Sequence, residues 1–590
     1  MLTRVGTSGW FAGVRPRTTA RLRTVPERRD PAEEEPMGAR VRTPQLLVTG
    51  GAAVAALALV VGAAPSSAAP TAPSATGAAK AAGVVWGSCE PGTTDEILEA
   101  NYGMTCGSLE VPLDHTKPNG SKISIAVSRI EHTDDANYQG IIVLNPGGPG
   151  GSGTVMPIIS LFVDPAVAAQ YDWIGFDPRG VGNSSPALSC DNDYAVPVRP
   201  PYDPTRDWIE RAWLKRVKGY AKDCGAAASP EFLKHLRTID SADDMESIRE
   251  AFGADKMNYY GYSYGTYLGQ VYASRYPERV RRMILDSNVD PRYVWEQGNL
   301  DQDVAFETTI GKFWTWVAQY DSVYHLGRTP AKVEHRYYRT QRELKGSPAG
   351  GQIGPAEFND VILNAGYAEF LWPDVAAAWS AWVNEKDPAG LIDFYGDGVG
   401  DNSYAMYLGV QCVDAPWSRS WKTWMKENSR TARKAPFVTW GNMWFNAPCA
   451  FWPVKASTPQ KVGDKAKRLP PFLLLGEQFD GPTPISGSFE VRKRFPSAVL
   501  IETLGGASHA LSPSGNPCTD DRINAYLADG TVPARKPGNK RADVYCQALP
   551  QPVPATPGPT AASFKAASSR AALADRLKAD FRRQMAALQH

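Results

Sequence analysis

The stretch Met257-Asn258-Tyr259-Tyr260-Gly261-Tyr262-Ser263-Tyr264-Gly265 decides the fold of this 590-residue chain. Met257–Tyr260 is expected to form a strand, and Tyr264–Tyr276 has the pattern of a helix that Pro277 ends. Gly-x-Ser-x-Gly alone is a weak signal, but between a strand and a helix it predicts a sharp turn that presents Ser263 as a nucleophile. The alternative is a glycine-rich strand–helix turn without catalysis.

A nucleophilic serine needs a general base and an acid that orients it, and on such a turn the chain order is Ser, acid, His. Four histidines follow Ser263, namely His325, His335, His509 and His590. The first two lie in a region without strand–helix alternation, and the last ends the chain. His509, in the loop after the last expected strand of the core, is therefore the predicted base.

The orienting acid should follow the preceding strand, Phe472–Leu475. Asp480 lies in the turn after this strand and is the preferred candidate, whereas Glu477 at the strand end is the alternative. Asp480 would hold His509 in the tautomer that accepts a proton from the serine and would stabilise the imidazolium.

A glycine-rich stretch, Gly147–Gly153, follows an early strand. It lacks the Gly-Lys-Ser/Thr ending of a phosphate-binding loop, so that interpretation is set aside. Its place before the nucleophile suits an oxyanion hole, with the Tyr264 N–H as one donor and the N–H of Gly147 or Gly148 as the other.

Short strand-like runs alternate with helical stretches on both sides of the nucleophile. The expected strands are Ile123–Arg129, Gly140–Leu144, Tyr171–Phe176, Met257–Tyr260, Val280–Leu285, Phe472–Leu475 and Ala498–Thr503. This alternation predicts an α/β protein with a mostly parallel sheet covered by helices on both faces. Between Asp290 and Leu469 the chain is rich in Trp and Tyr and helical in pattern, which indicates an inserted, mainly helical cap.

The composition excludes several classes of protein. With 43% hydrophobic residues the chain can bury a large core, and wholesale disorder is excluded. The 63 Lys and Arg residues nearly balance the 62 Asp and Glu residues, so the chain lacks the large net positive charge that would attract nucleic acid. We expect neither a nucleic-acid partner nor a metal or other cofactor.

The chain has eight cysteines and no C-x-x-C pair, which argues against a zinc ribbon. They are Cys89, Cys106, Cys190, Cys224, Cys412, Cys449, Cys518 and Cys546. They all follow a candidate secretion signal, so four disulfides and an oxidising compartment are expected. The pairing is open among 105 connectivities, and sequential pairing is preferred.

The expected organisation has seven parts. Residues 1–36 are an N-terminal extension, 37–69 a signal peptide and 70–83 a disordered mature N-terminus or pro-segment; 84–290 and 470–548 are the two parts of the core; 291–469 are the cap; 549–590 are a Pro-rich linker and a C-terminal helix. A transmembrane anchor is the rival of the signal peptide. After removal of the signal, no stable membrane insertion is expected.

Several motifs together resemble one family. They are residues 106–114, 146–151, 177–184, 261–266, 411–414 and 480–484. The chain resembles the secreted tripeptidyl aminopeptidases of actinobacteria, which are α/β-hydrolase serine exopeptidases related to prolyl aminopeptidase. Pro146 stands where the prolyl aminopeptidase pattern has His, and Ser508 where the family often has Gly before its catalytic His.

The resemblance implies an α/β-hydrolase fold with a cap, and an extracellular serine exopeptidase. Such an enzyme would release short peptides, chiefly tripeptides, from the free N-terminus of peptide substrates through an acyl-enzyme. A buried carboxylate would recognise the substrate ammonium, with Asp414 and Glu369 as candidates; the alternative is that these groups are solvated or ion-paired.

Two other functions stay open. A carboxylester hydrolase could use the same triad, because fold does not decide substrate. A secreted binding protein with an inactive triad is the second alternative, and the presence of all three triad residue types argues against it.

Overall fold

The computed structural model describes residues 83–554, apart from 397, 399 and 465, and a helix at 570–588. The predicted extension, signal peptide and most of the segment 70–83 lie outside the described residues, as does the later part of the Pro-rich linker. None of the described helices is both long and apolar enough to cross a membrane.

Ten strands form one sheet. They are β1 Val84–Gly87, β2 Thr105–Pro112, β3 Lys122–Ile130, β4 Ile141–Asn145, β5 Asp172–Phe176, β6 Met257–Tyr262, β7 Val280–Asp286, β8 Phe472–Glu477, β9 Ala498–Leu504 and β10 Val544–Gln547. Their order is β1-β2-β3-β5-β4-β6-β7-β8-β9-β10. The pairs from β5 to β10 are parallel, and β1, β2 and β3 extend the sheet antiparallel. The predicted mostly parallel sheet is confirmed.

Eighteen α-helices lie within the described residues. They are α1 Thr94–Tyr102, α2 Pro165–Ala168, α3 Asp207–Ala227, α4 Pro230–Lys234, α5 Thr238–Ala251, α6 Tyr264–Arg275, α7 Glu296–Gln319, α8 Asp321–Tyr324, α9 Pro330–Leu344, α10 Pro355–Tyr367, α11 Trp372–Glu385, α12 Ala389–Tyr395, α13 Asp401–Asp414, α14 Trp421–Ala432, α15 Thr439–Asn446, α16 Ile485–Arg494, α17 Pro517–Asp529 and α18 Arg570–Leu588. Short 3₁₀ turns join them, including Met156–Leu161 and Glu369–Leu371.

The central strands are buried on both faces, which explains their apolar sequences. Every residue of β4, β5 and β6 is buried, as expected for parallel strands covered by helices on both sides. Because the parallel strands run in the same direction, their carboxyl ends meet along one edge of the sheet. The loops after β4, β6, β8 and β9 therefore lie near one another, and these loops carry the predicted site residues.

Between β7 and β8 the described chain is helical, from α7 to α15. The apolar residues of α7 to α12 form a hydrophobic cluster of their own, which includes Trp314, Trp316, Trp372 and Trp379. Those of α13, such as Tyr404 and Leu408, instead belong to the cluster around the sheet. The insertion thus has its own core but packs on the sheet's cluster through α13 to α15.

The eight cysteines form four disulfides. The pairs are Cys89–Cys106, Cys190–Cys224, Cys412–Cys449 and Cys518–Cys546. The sequential pairing expected from the sequence is the pairing in the structure. Each bridge closes a local loop, and such a bridge typically stabilises a fold by about 2–4 kcal/mol.

Candidate active site

Ser263 lies at the sharp turn between β6 and α6. Its backbone has φ 54° and ψ −124°, a strained conformation for a residue with a side chain. The turn is so tight that a Cβ on Gly261 would lie 2.5 Å from the Gly265 carbonyl oxygen, and a Cβ on Gly265 would lie 2.7 Å from the Asn145 carbonyl oxygen, which explains both glycines of the motif. The Ser263 N–H donates to the Asp286 carbonyl oxygen at the end of β7, 3.0 Å away, and fixes the turn to the sheet.

His509 and Asp480 are in direct contact. Nδ1 of His509 lies 2.9 Å from each carboxylate oxygen of Asp480. Both side chains are buried, with exposed fractions of 0% and 1%. The structure thus places Asp480, and not Glu477, against the imidazole.

The end of β7 anchors both the turn that carries Ser263 and the loop that carries His509. Ser263 is bonded to Asp286, and the N–H of Ala510, next to His509, donates to the Ser287 hydroxyl at 2.8 Å. Nε2 of His509 is buried and has no hydrogen-bond partner within the described part of the chain. Nδ1 is occupied by Asp480, so Nε2 is the nitrogen left to accept a proton.

The glycine-rich loop after β4 supplies one candidate for the second oxyanion donor. The Gly147 N–H already donates to the Asn145 side chain at 3.1 Å. The Gly148 N–H has no such bond among the residues described, and Gly148 lines the same cavity as Ser263 and Tyr264. Of the two alternatives left by the sequence, the geometry favours Gly148.

The buried carboxylate of Asp177 holds the end of this loop. It accepts hydrogen bonds from the Ser152 hydroxyl and the Gly153 N–H, both at 2.7 Å, and from the Asn183 N–H at 2.8 Å. Asp177 follows β5, so its side chain ties the glycine-rich loop to the sheet. The role is structural, and it accounts for Asp177 in the 177–184 motif.

Glu369 lies against the loop that carries His509 and does not line the cavity. Its N–H donates to the Ser508 hydroxyl at 3.1 Å, and its carboxylate accepts from the Ala507 N–H at 3.2 Å. The neighbouring Tyr367 carbonyl accepts from the His509 N–H at 2.8 Å. The cap therefore contacts the His509 loop directly. The Ser508 hydroxyl accepts a hydrogen bond from Glu369 that a glycine at position 508 could not accept.

Glu477 supports the same loop from the sheet side. Its carboxylate accepts from the Ser508 N–H at 2.5 Å. Burial, together with the nearby carboxylates of Glu369 and Asp480, raises the pKa of Glu477 well above its usual range. The raised pKa favours the protonated form of Glu477, which still offers one oxygen to the Ser508 N–H and adds no charge beside His509 and Asp480.

Asp414 also lies away from the cavity, behind Tyr264. It accepts hydrogen bonds from the Thr238 N–H at 2.7 Å and from the Trp295 indole at 3.3 Å. Burial raises the pKa of Asp414 to about 7. The Thr238 hydroxyl is in turn 2.7 Å from the Tyr264 hydroxyl. The placement of Asp414 and Glu369 gives no support to the prediction that either binds the substrate amine.

A cavity of about 300 Å³ lies above Ser263, at the lower end of the range typical of ligand-binding pockets. Its walls come from the core loops, from the cap helices α7, α10, α12, α13 and α15, and from the segment 191–202. Among the described residues, its charged lining consists of Asp191, Asp290, Asp301, Asp360, Asp401 and Arg199. Sequence reasoning did not find Arg199 or Asp360, because no motif surrounds them.

Comparison with known proteins agrees with this geometry. Residues 140–385 match a family model of the alpha/beta hydrolase fold, and residues 435–546 match the model of the TAP-like protein family. The tripeptidyl aminopeptidase of Streptomyces lividans is 40% identical over 466 residues, which cover 76% of this chain and 85% of that protein. The chain belongs to the tripeptidyl aminopeptidase family.

Two further relatives show the breadth of this family. Serine protease Hip1 of Mycobacterium tuberculosis is 31% identical over 76% of this chain and 89% of its own length. Carboxylesterase B of the same species is 30% identical over 76% of this chain and 88% of its own length. As a member of the tripeptidyl aminopeptidase family, the protein is an α/β-hydrolase serine peptidase, as the sequence predicted.

Proposed function

We propose that the protein is a secreted exopeptidase that removes tripeptides from the free N-terminus of peptides. The observation that carries the proposal is the charge of the cavity above Ser263, where five aspartates face one arginine. A negative lining attracts the ammonium end of a peptide and repels its carboxylate end. The relatives named tripeptidyl aminopeptidase supply the expectation of three residues.

The reaction begins with attack of the Ser263 hydroxyl oxygen on the third peptide carbonyl. Nε2 of His509 takes the serine proton, while Asp480 accepts the Nδ1–H bond and stabilises the imidazolium. The N–H groups of Tyr264 and Gly148 donate to the oxyanion, and losing one such donor typically costs about 3–4 kcal/mol of barrier stabilisation. The imidazolium then protonates the leaving amine, which departs as the shortened peptide.

The tripeptidyl group remains as an ester on Ser263. A water molecule attacks this ester, and Nε2 of His509 again takes the proton. Collapse of the second tetrahedral intermediate returns the proton to Ser263 and releases the tripeptide acid. Each half-reaction thus uses the same base and the same oxyanion donors.

A panel of chromogenic substrates tests the proposal. The panel comprises aminoacyl, dipeptidyl, tripeptidyl and N-acetyl-tripeptidyl anilides, together with short-chain esters. We expect the free tripeptidyl anilide to have the highest kcat/KM among the anilides and the Ser263→Ala variant to be inactive on all substrates. Equal cleavage of the free and acetylated tripeptides would contradict an exopeptidase.

An ester hydrolase is the second candidate, favoured by the relative named carboxylesterase B. Apolar side chains, including Val361, Leu363 and Phe445, also line the cavity and could hold an acyl chain. The same panel separates the two functions. A kcat/KM for short-chain esters far above that for every peptide anilide would favour the esterase. Cleavage of esters does not by itself separate the two functions, because peptidases also cleave activated esters.

Secretion is part of the proposal. Four disulfides are typical of proteins that fold in an oxidising compartment. N-terminal sequencing of the protein recovered from culture medium should give a start after residue 69. A protein that stays with the cells and keeps residues 37–69 would support a membrane anchor instead.

A further inference from the structure

One wall of the cavity carries a cluster of three charged side chains with an uncompensated negative charge. Arg199 Nε lies 3.0 Å from a Glu357 oxygen, and its Nη2 lies 2.5 Å from an Asp360 oxygen. The Arg199 N–H also donates to Glu357, at 2.8 Å. One guanidinium thus serves two carboxylates, which leaves the cluster with a formal charge of −1.

Of the two carboxylates in this cluster, only Asp360 lines the cavity. Glu357 is fully buried, whereas the Asp360 side chain is 32% exposed and lines the cavity. The Tyr202 hydroxyl donates to Asp360 at 2.9 Å and fixes the carboxylate. Burial raises the pKa of Asp360, an effect that Glu357 adds to and Arg199 only partly offsets. A cation in the cavity would complete the charge balance of the cluster.

The other carboxylates of the lining are less suited to this role. Asp290 forms an ion pair with Arg292 at 2.5 Å. Asp401 accepts hydrogen bonds from four groups of the 189–191 segment and α3. Asp301 is exposed and bonds to the Gln297 amide, and Asp191 caps its own turn. Asp360 is the one held rigidly beside a shared guanidinium.

Helix α10 connects this cluster to the triad. Tyr367, at the end of α10, accepts the His509 N–H at 2.8 Å, and its ring centroid lies 5.9 Å from that of His509. Asp360 is seven residues earlier on the same helix, which is about 10 Å at 1.5 Å per residue. Asp360, Asn364 and Tyr367 all line the cavity, so one face of α10 runs along it.

A substrate of three residues spans the same distance. An extended chain advances about 3.3–3.6 Å per residue, so three residues take about 10 Å from the ammonium to the scissile carbonyl. We propose that Asp360 binds the N-terminal ammonium of the substrate, and that the two helical turns between Asp360 and Tyr367 set the cut after the third residue. This inference rests on the proposed exopeptidase function and names the residue that would fix the length of the released peptide.

The first test replaces Asp360 by asparagine, which keeps the size of the side chain. Losing one partner of a desolvated charge pair costs several kcal/mol. We therefore expect kcat/KM for a free trialanyl anilide to fall about a hundredfold, while the value for its N-acetyl analogue changes little. The matched control Asp301→Asn removes one charge from the lining but not from the cluster. Its kcat/KM for the free trialanyl anilide should fall by at most about tenfold.

The second test moves the carboxylate along the helix and leaves Asp360 in place. Asn364→Asp puts a carboxylate four residues, or about 6 Å, closer to His509 on the same face of α10. About 4–5 Å of helix then remain to Tyr367, which is a little over one extended residue, so the variant should raise the aminoacyl relative to the tripeptidyl kcat/KM at least about tenfold. Combining it with Asp360→Asn should make the shorter product the preferred one. Labelling of Ser263 by a fluorophosphonate checks that each variant keeps a folded site.

The outcomes separate the inference from the proposed function. If the wild type cleaves free and acetylated tripeptides equally, the exopeptidase proposal itself fails. If the wild type discriminates, but Asp360→Asn discriminates equally well and Asn364→Asp leaves the product length unchanged, the ammonium binds elsewhere and the inference is overturned. Should Asp360→Asn not fold, the Asn364→Asp measurement decides the inference alone.

Discussion

Replacing Asp480 by asparagine should reverse the hydrogen bond that orients His509. One carboxylate oxygen accepts the Thr483 N–H at 2.8 Å, the other accepts the Thr483 hydroxyl at 2.8 Å, and Nδ1 of His509 lies 2.9 Å from both. A backbone N–H can only donate. Asparagine would therefore keep its oxygen at the Thr483 N–H and place its NH₂ group at the position of the second oxygen, 2.9 Å from Nδ1 of His509.

The size of the effect follows from the tautomer. An NH₂ group opposite Nδ1 makes Nδ1 an acceptor, so the imidazole proton moves to Nε2, the nitrogen that must take the proton of Ser263. In serine proteases this wrong tautomer lowers kcat about ten-thousandfold, which corresponds to about 5 kcal/mol. The fold should be retained, because asparagine has the size of aspartate and keeps the Thr483 N–H bond.

The assay compares kcat for a free tripeptidyl anilide in Asp480→Asn and Glu477→Gln, with thermal unfolding as a check on folding. Glutamine at 477 keeps an oxygen for the Ser508 N–H, so kcat in this variant should fall less than about tenfold. That fall is far smaller than the loss caused by removing one residue of a catalytic triad. A loss below tenfold in Asp480→Asn would refute the reasoning. A ten-thousandfold loss in Glu477→Gln instead would make Glu477 the orienting acid.

Three further predictions follow from single contacts. A Cβ on Gly147 would lie 2.8 Å from the Ser263 Cβ at a φ of 105°, so Gly147→Ala should lower kcat at least about a hundredfold, whereas Gly219→Ala, with open space around it, should not. Burial raises the Asp414 pKa to about 7, so between about pH 4 and 7 the native state holds a proton that the unfolded chain has released. The free energy of unfolding should therefore fall as pH rises from about 4 to 7. In Asp414→Asn the urea midpoint should depend less steeply on pH over this range. An unchanged slope would contradict that account. Alkylation of the denatured, unreduced protein should label none of its eight cysteines, and two or more labelled would contradict the four disulfides.

The sequence predicted the centre of the sheet because its strands are buried and flanked by clear turn signals. Met257–Tyr260 and Phe472–Leu475 each lie inside a strand of the structure, β6 and β8. The short strands β1 and β10 were not predicted, since four residues without alternation carry little pattern. The eight residues of β2 include Cys106, Gly107 and Pro112, which weaken a strand pattern.

The triad candidates could be selected from the sequence because topology restricts where each one falls in the chain. The far wall of the cavity could not, since Arg199 and Asp360 are 161 residues apart and meet only through the tertiary fold. Asp414 and Glu369 were predicted to bind the substrate amine, and the sequence could not show that other groups of the fold already bond to them. Asp414 is buried and Glu369 is half-buried, and their hydrogen-bond partners, Thr238 and the Ala507 N–H, are visible only in the structure.

Removal of tripeptides is read most directly from the products of a peptide of about ten residues and of its N-acetylated analogue, followed by mass spectrometry over time. We expect the free peptide to lose three residues at a time from its N-terminus, the acetylated peptide to stay intact, and Ser263→Ala to leave both untouched. Cleavage at internal bonds, or equal cleavage of the acetylated peptide, would contradict a tripeptide-releasing exopeptidase.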